Sequence, residues 1–365
     1  MRVAILFNAV AENAPVDELD VLIQVDAVSA ALARLGHEVS RVPCTLELSH
    51  VLSRVRSLKP DVVFNLVESL EGHGRLIFLV PSMLDAVGVP YTGSPAEALF
   101  LTSHKVLAKE RFRGAGLPTP DWFGPWPDGS MSPVVPPRRG RAKRGDYIVK
   151  SVWEHASFGL DDDLVIRGAD DTVLRRSMEV CAERLRGQCF AEAFIDGREF
   201  NISILAGRDG PEVLPLAEIE FIGFPEGKPK IVSYKAKWAE ESPEYRGTPR
   251  TFEFAASDAP ILEELRRLTP LCWSAFGLRG YARVDYRVDE KGRPYILEIN
   301  ANPCISPDSG FVAAAGRSGL DYDGMVRRIL EDAARGRRGG RAGSGALRAN
   351  GKPGRRSPSP GEVSA

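Results

Sequence analysis

The residues best arranged for chemistry lie between positions 281 and 302. Over residues 281–288, Arg283, Asp285 and Arg287 alternate with Ala282, Val284, Tyr286 and Val288. A turn at 289–293 follows, and residues 294–300 alternate again, Glu298 and Asn300 opposed to Leu297 and Ile299. Period-two alternation is the signature of a half-buried strand. A hairpin closed on Lys291 and Gly292 sets Asp285 opposite Glu298 and Arg283 opposite Asn300, all on one face. Two carboxylates and an amide oxygen are hard ligands that suit magnesium, which takes one or two carboxylates plus substrate phosphates. The same charges could instead make a salt-bridged solvent face, Arg283 with Asp285 and Glu298 with Arg287. Pattern alone leaves both readings open.

Other candidates are scattered. Lys150 and Lys237 fall in strand-like stretches and could act as point charges for phosphate, or simply be solvated. Neither GxxxxGK[ST] nor GxGxxG occurs, so phosphate recognition is not of the P-loop or dinucleotide type. The five cysteines have no CxxC spacing and are odd in number, which argues against a zinc site or a disulfide framework. Formal net charge is -1 and the composition is 43% hydrophobic and 27% charged, that of an ordinary globular chain. Nothing in it points to nucleic acid or a membrane. The first apolar run, residues 3–7, is too short for a signal peptide or a membrane span, so the expected compartment is the cytoplasm.

These residues must be positioned by a larger frame, for 365 residues suit two or three packed domains. Strand-like and helix-like stretches alternate at the start: strand 3–7, helix 21–35, strand 38–42, helix 46–58, strand 61–66, helix 76–87. That rhythm predicts a doubly wound parallel sheet, with ligands beyond the carboxyl ends of its strands. Glu68 stands at one such end. A helix is expected at 103–114, a solvated basic loop at 133–145, a strand at 147–152 and a loop at 154–163. A helix at 172–185 and a strand at 188–194 follow, and the remainder is strand-rich up to a helix at 322–334. Residues 335–365 are rich in Arg, Gly, Ser and Pro and read as a disordered, solvated extension.

In this order the pieces resemble the ATP-grasp superfamily, and within it the D-alanine–D-alanine ligases, over about residues 1–334. The carriers are Pro90-Tyr-Thr-Gly-Ser94 with Ser103-His-Lys105, Ala115-Gly-Leu-Pro-Thr-Pro120, and the stretch 190–200. Gly277-Leu-Arg-Gly-Tyr-Ala-Arg-Val-Asp285 and Leu297-Glu-Ile-Asn-Ala-Asn-Pro303 complete the set. The resemblance implies an α/β doubly wound domain at 1–102 before a two-lobed ATP-grasp fold, α+β in character, with lobes at 103–198 and 199–334.

It also implies roles. Lys105 and Lys150, with Lys237 as a third candidate, would contact ATP phosphates. The backbone around Ala193 and Phe194 would pair with adenine, Glu192 would lie near the adenine amino group, and Glu199 would take the ribose hydroxyls. Asp285, Glu298 and Asn300 would hold two magnesium ions, with manganese as an alternative. Arg283 would stabilise the transferring phosphoryl group and then the oxyanion. Ser309 would bind the second substrate's carboxylate. Loops at 154–163 and 231–250 would be lids. A homodimer through the first domain is implied by resemblance alone.

Three departures surround the first amino acid. The stretch 8–14 is not glycine-rich and no glutamate aligns clearly there; Ala156 stands at the family's serine and Trp238 at its tyrosine. Val67-Glu68 replaces the family's His-Gly. Glu68 could supply the missing anion for the substrate's ammonium, or be a solvated loop carboxylate. His73 and His155 could line the pocket, and Cys304 replaces a family glycine. The expectation is a D-alanine–D-alanine ligase-like enzyme serving peptidoglycan synthesis. Alternatives are a ligase of altered amino-acid or carboxylate specificity in specialised metabolism, and a nucleotide-binding regulator without catalysis.

Overall fold

The computed structural model describes residues 1–11, 14–125, 144–153, 159, 161–185 and 187–340. Most of the basic loop expected at 133–145 and of the lid expected at 154–163, with His155 and Ala156, lies outside the described residues, as does the chain after Gly340.

The first sheet is parallel, in the order β2-β1-β3, from β1 (Arg2–Asn8), β2 (Glu38–Cys44) and β3 (Val62–Leu66). Helices α1 (Val16–Arg34), α2 (Leu48–Leu58) and α3 (Leu79–Val87) connect and follow these strands. Alternation in β1 divides its side chains between two cores. Val3 and Ile5 pack with Val25, Val28 and Leu32 of α1, whereas Ala4 and Leu6 pack with Val51 and Val55 of α2 and Leu84 of α3. Each such side chain contributes roughly 1.5–3 kcal/mol by leaving water. The doubly wound start is therefore as the hydrophobic periodicity predicts.

Next, α4 (Ala96–Ser103) and α5 (Lys105–Gly114) meet at His104. The helix expected at 103–114 is α5, starting at Lys105, and α4 just before it was not expected. His104 is extended, and its ring nitrogen Nδ1 accepts from the Leu107 amide at 3.1 Å, capping α5. A second sheet, ordered β4-β7-β5-β6, comprises β4 (Trp122–Phe123), β5 (Gly145–Ser151), β6 (Val165–Ala169) and β7 (Cys189–Ala193), with α6 (Asp171–Cys181) packed on it.

The third sheet, ordered β11-β10-β8-β12-β13 with β9 beside β8, carries the candidate hairpin. Its members are β8 (Arg198–Ala206), β9 (Pro211–Val213), β10 (Ala217–Ile219), β11 (Arg250–Thr251), β12 (Tyr281–Val288) and β13 (Pro294–Asn300). Two short helices, α7 (Tyr234–Trp238) and α8 (Pro243–Arg246), precede β11, and α9 (Ala259–Phe276) precedes β12. On the reverse face Ala282, Val284, Tyr286, Ile296 and Ile299 pack with Leu262, Leu265, Leu268 and Cys272 of α9. Tyr286 also shares a hydrogen bond of 2.9 Å with Thr269 there.

Helices α10 (Gly310–Arg317) and α11 (Tyr322–Gly340) close the described chain. α11 runs past the expected end at Ala334, so residues 335–340 are helical rather than disordered. Arginine is a good helix former, and Arg335 pairs with Asp332 one turn back at 3.7 Å. Together the parallel-sheet domain and the two later sheets form a mixed α/β architecture, the parallel unit followed by two further lobes, as the resemblance implies. The first unit is docked on the third sheet by a close backbone approach. A Cβ on Gly280 would come within 2.8 Å of the Gly93 backbone, and Ser94 hydroxyl donates to the Arg279 carbonyl at 3.2 Å.

Candidate functional site

The β12–β13 register pairs Arg283 with Asn300, Val284 with Ile299 and Asp285 with Glu298. The ladder then slips, Tyr286 pairing with Ile296 and leaving Leu297 extra. This bulge corrects the unbroken alternation expected over 294–300: Ile296, not Leu297, takes the fully buried position. It also leaves Glu298 on the same face as Asp285. Arg283 forms two hydrogen bonds with Asp285, at 2.7 and 2.8 Å. Burial opposes the Arg283 charge, yet Asp285 and Glu298 hold its pKa above the ordinary value. Glu298 is not bridged to Arg287, as the salt-bridged alternative required. It lies 3.5 Å from Lys105 at the start of α5, and Arg287 pairs with Glu199 at 2.9 Å.

Lys105 thus reaches the hairpin from across the cleft. Lys150, on β5, is bound to Glu192 of β7 at 2.5 Å. The other Glu192 oxygen faces Lys109, a fully buried residue that sequence reasoning passed over. Lys109 meets that oxygen as an ion pair rather than a well-directed hydrogen bond. It donates to Thr119 hydroxyl at 2.8 Å, and Thr119 in turn donates to the Ile296 carbonyl of β13 at 2.8 Å. Burial lowers the Lys109 pKa to about 8, with Glu192 opposing the fall. Burial alone would raise the Glu192 pKa, but Lys109 and Lys150 together bring it below the usual range. The signal available in the sequence was spacing: Lys109 lies one helical turn beyond Lys105, on the face of Val106 and Phe112.

Glu199 opens β8 and pairs in register with Arg287; burial raises its pKa against the pull of Arg287. Lys237, in α7, has its pKa lowered by burial and by Arg283, with Glu298, Asp285 and Glu199 opposing. The expected strand lysine is therefore helical, in a segment between β10 and β11 that folds back over the hairpin face. The amides of Ala193 and Phe194 are engaged within the protein, donating to the Asp121 carbonyl at 2.8 Å and the Asp146 carbonyl at 2.9 Å. Any pairing of adenine with this strand end must use carbonyls or the next amide, not these two N–H groups.

A second group gathers where the first unit meets the loop after β13. Glu68 accepts from Gln24 of α1 at 2.8 Å, and Gln24 also donates to Asp20 at 3.2 Å. Asp20 accepts from Ser306 at 2.7 Å and from the Cys304 thiol at 3.0 Å. Asn302 donates to the Val67 carbonyl at 3.0 Å and accepts from Tyr281 at 2.8 Å. Two carboxylates, Asp20 and Glu68, therefore flank the segment leading out of the hairpin. Asp20 was missed. Its trace in the sequence is Gln24, a polar residue on the otherwise apolar stripe of Val21, Val25 and Val28. Burial raises the Cys304 pKa well above its ordinary value, so the thiol is protonated and no nucleophile. All five cysteines are free.

Ser309 caps α10, its hydroxyl oxygen accepting from the Val312 amide at 3.4 Å. His73 precedes the short 3₁₀ turn Gly74–Leu76 without a side-chain cap, and its backbone bridges to Leu70.

Among the described residues no three acidic, histidine or cysteine side chains cluster as a self-sufficient metal cage. Asp285 and Glu298 with the Asn300 oxygen, which already accepts from the Asn302 amide at 3.1 Å, fit a cation completed by phosphate oxygens. No helix among the described residues is long and apolar enough to cross a membrane.

Known proteins are similar to this chain in sequence and fold. Residues 147–331 match the family described as "D-ala D-ala ligase C-terminus". An uncharacterized protein, y4sG, of Sinorhizobium fredii is 32% identical over 85% of this chain and 87% of its own length. The D-alanine–D-alanine ligase of a Synechococcus strain is 30% identical over 84% of this chain and 86% of its own. In three dimensions the D-alanine–D-alanine ligase of Bacillus anthracis, solved with ATP, superposes with a TM-score of 0.69, covering 93% of this chain and 99% of that one. At 19% identity that last likeness speaks for the fold alone. By the family match and these relatives, the chain belongs to the D-alanine–D-alanine ligase family of the ATP-grasp superfamily.

Proposed function

We propose that the protein is a magnesium- and ATP-dependent carboxylate–amine ligase that forms an amide bond through an acyl phosphate. The observation that carries this reading is Asp285 facing Glu298 on one side of the hairpin, with Arg283 and Lys105 against them. Two facing carboxylates with an amide oxygen beside them form a hard donor set that suits magnesium and phosphate oxygens.

Asp285, Glu298 and Asn300 would hold the metal, two ions in the family's manner. Bound there, magnesium would offset charge on the β- and γ-phosphates. Lys105, Lys150 and Lys237 would contact phosphate oxygens, and Glu199 would accept from the ribose. Lys150 is kept in place by Glu192. A carboxylate is a poor electrophile, so the γ-phosphoryl group of ATP is transferred to it first. The amine of a second molecule then attacks, phosphate leaves, and Arg283 stabilises the oxyanion that develops between the two events. The acyl phosphate hydrolyses readily, so water must be kept out. The segment with α7 and α8 suits a cover: Lys228 binds both Glu244 at 2.6 Å and Asp162 at 3.4 Å, tying it to the central sheet's loop.

For the first substrate's ammonium we assign Glu68 together with Asp20, with Gln24 orienting both. A paired carboxylate site differs from the family's single glutamate, and the identity of the first amino acid is what the assay decides. The assay is ADP release from magnesium–ATP with a panel of D- and L-amino acids. Release with D-alanine alone supports the peptidoglycan reading, and release with another amino acid supports the altered specificity. ATP binding without release in any member of the panel would make the protein a regulator.

A further inference from the structure

Glu199 and Arg287 face each other across β8 and β12, in the register that also sets Asn201 beside Asp285 and Ser203 beside Arg283. The pair therefore lies on the face that carries the metal candidates, two residues along from Asp285. Both residues are withdrawn from solvent, Glu199 8% and Arg287 4% exposed. Burying two charges costs about as much as their attraction returns, so stability alone does not account for the pair.

The Arg287 guanidinium is fixed from several sides. Nη1 donates to the Gly197 carbonyl at 3.1 Å, and Nη2 donates to the Lys230 carbonyl while meeting Glu199 Oε2. Its Cζ lies 5.3 Å from the centre of the Phe221 ring. Gly197 belongs to the turn between β7 and β8, just beyond the strand end assigned to adenine. Its φ of +146° favours glycine, and a Cβ there would collide with the Val288 carbonyl. Phe221 and Lys230 belong to the segment between β10 and α7, the root of the cover that carries Lys237.

Glu199, in contrast, is held through one oxygen. Oε2 meets Arg287, whereas Oε1 accepts no hydrogen bond among the described residues. Burial raises the Glu199 pKa, and Arg287 opposes this more strongly than Lys237 or Lys150. Without Arg287 the carboxyl would move toward its neutral form, which must itself donate and is a poorer acceptor for hydroxyl groups.

We propose that Arg287 is the positioning residue for recognition of the nucleotide sugar, holding Glu199 so that Oε1 is presented to the ribose hydroxyls. Arg287 acts through Glu199 and does not touch the nucleotide, since both its terminal nitrogens are engaged within the protein. The inference rests on the ATP site assigned above and deepens it: the strength of ATP binding depends on those hydroxyls through this arginine.

The test measures binding of magnesium–ATP and of its dideoxy analogue, which lacks both hydroxyls, to the full chain by titration calorimetry. No turnover is needed. Wild-type protein prefers ATP about 10- to 100-fold, the scale of a hydrogen bond to a charged group. Arg287→Met loses most of that preference by weakening ATP while the dideoxy analogue binds as before, and Arg287→Lys recovers part of it. Glu199→Gln loses the preference too, and adding Arg287→Met to it lowers the preference no further. A merely structural ion pair would weaken both nucleotides alike and leave their ratio untouched. That unaltered ratio in Arg287→Met, or in Arg287→Lys should the methionine variant not fold, overturns the proposal while the ATP site stands. Equal binding of the two nucleotides by the wild type overturns it as well. If magnesium–ATP does not bind the wild type at all, the ATP site fails and the proposal with it.

Discussion

Asp285 on β12 stands opposite Glu298 on β13, and the ladder slips by one residue immediately beyond the pair. The slip lies on the turn side of the pair and pairing resumes at Tyr286 and Ile296, so Asp285 and Glu298 stay directly opposed on one face. Asp285→Asn and Glu298→Gln should each lower kcat by on the order of 10²–10³-fold, the scale of lost charge stabilisation in a phosphoryl-transfer site. Both variants should keep the fold, because the isosteric amides retain an oxygen that can accept from Arg283 and Lys105. Circular dichroism and the magnesium dependence of ATP binding separate the two effects: a native spectrum with no magnesium response is the expected result.

Lys109 and Glu192 form a buried ion pair joining α5 to β7. Lys109→Met leaves a buried carboxylate with only Lys150 to balance it, and should cost about 3–5 kcal/mol of stability in urea denaturation. The double variant Lys109→Met, Glu192→Leu should recover a good part of that loss, since no unpaired charge then remains buried. Equal stability of the single and double variants would contradict this account.

His104 is buried between α4 and α5, edge-on to Trp153 at 4.4 Å, and burial lowers its pKa from 6.5 to about 4. The folded state thus holds the neutral ring, whose Nδ1 must accept from Leu107. As pH falls below about 6.5 the unfolded chain takes up the proton first. Stability is therefore full above that pH and declines toward pH 4, by about 3 kcal/mol in all. His104→Asn keeps a capping oxygen and should flatten this part of the urea-midpoint profile between pH 4 and 7.

The Asp20–Gln24–Glu68 group predicts a split in kinetic constants. Asp20→Asn and Glu68→Gln should raise the KM of the first amino acid, about 10-fold or more for each lost charge contact, and leave the KM of ATP alone. An unchanged amino-acid KM in Glu68→Gln would remove Glu68 from the site. Cys304→Ser, in contrast, should keep kcat within the same order of magnitude, because the thiol is protonated and bonded to Asp20.

Much of this was legible in the residues, for local reasons. Strand parity set the Asp285–Glu298 and Arg283–Asn300 pairs, since alternation decides which face a side chain occupies. Apolar periodicity located the parallel sheet and α1 in the same way. What escaped depends on contacts between distant segments. Lys109 looks like any helix-surface lysine until β7 brings Glu192 against it. Asp20 acquires a role only when the loop carrying Cys304 and Ser306 packs on α1. The bulge at Leu297 was equally hidden, because an inserted residue leaves each side of the strand pattern locally regular.

The central claim is tested most directly by ADP release from magnesium–ATP in the presence of single amino acids, with wild-type protein beside Glu298→Gln. The account predicts release that depends on an amino acid, matched by an amide-linked product, and its loss in the variant. Tight ATP binding with no ADP formed for any amino acid, or release that persists undiminished in Glu298→Gln, would contradict it.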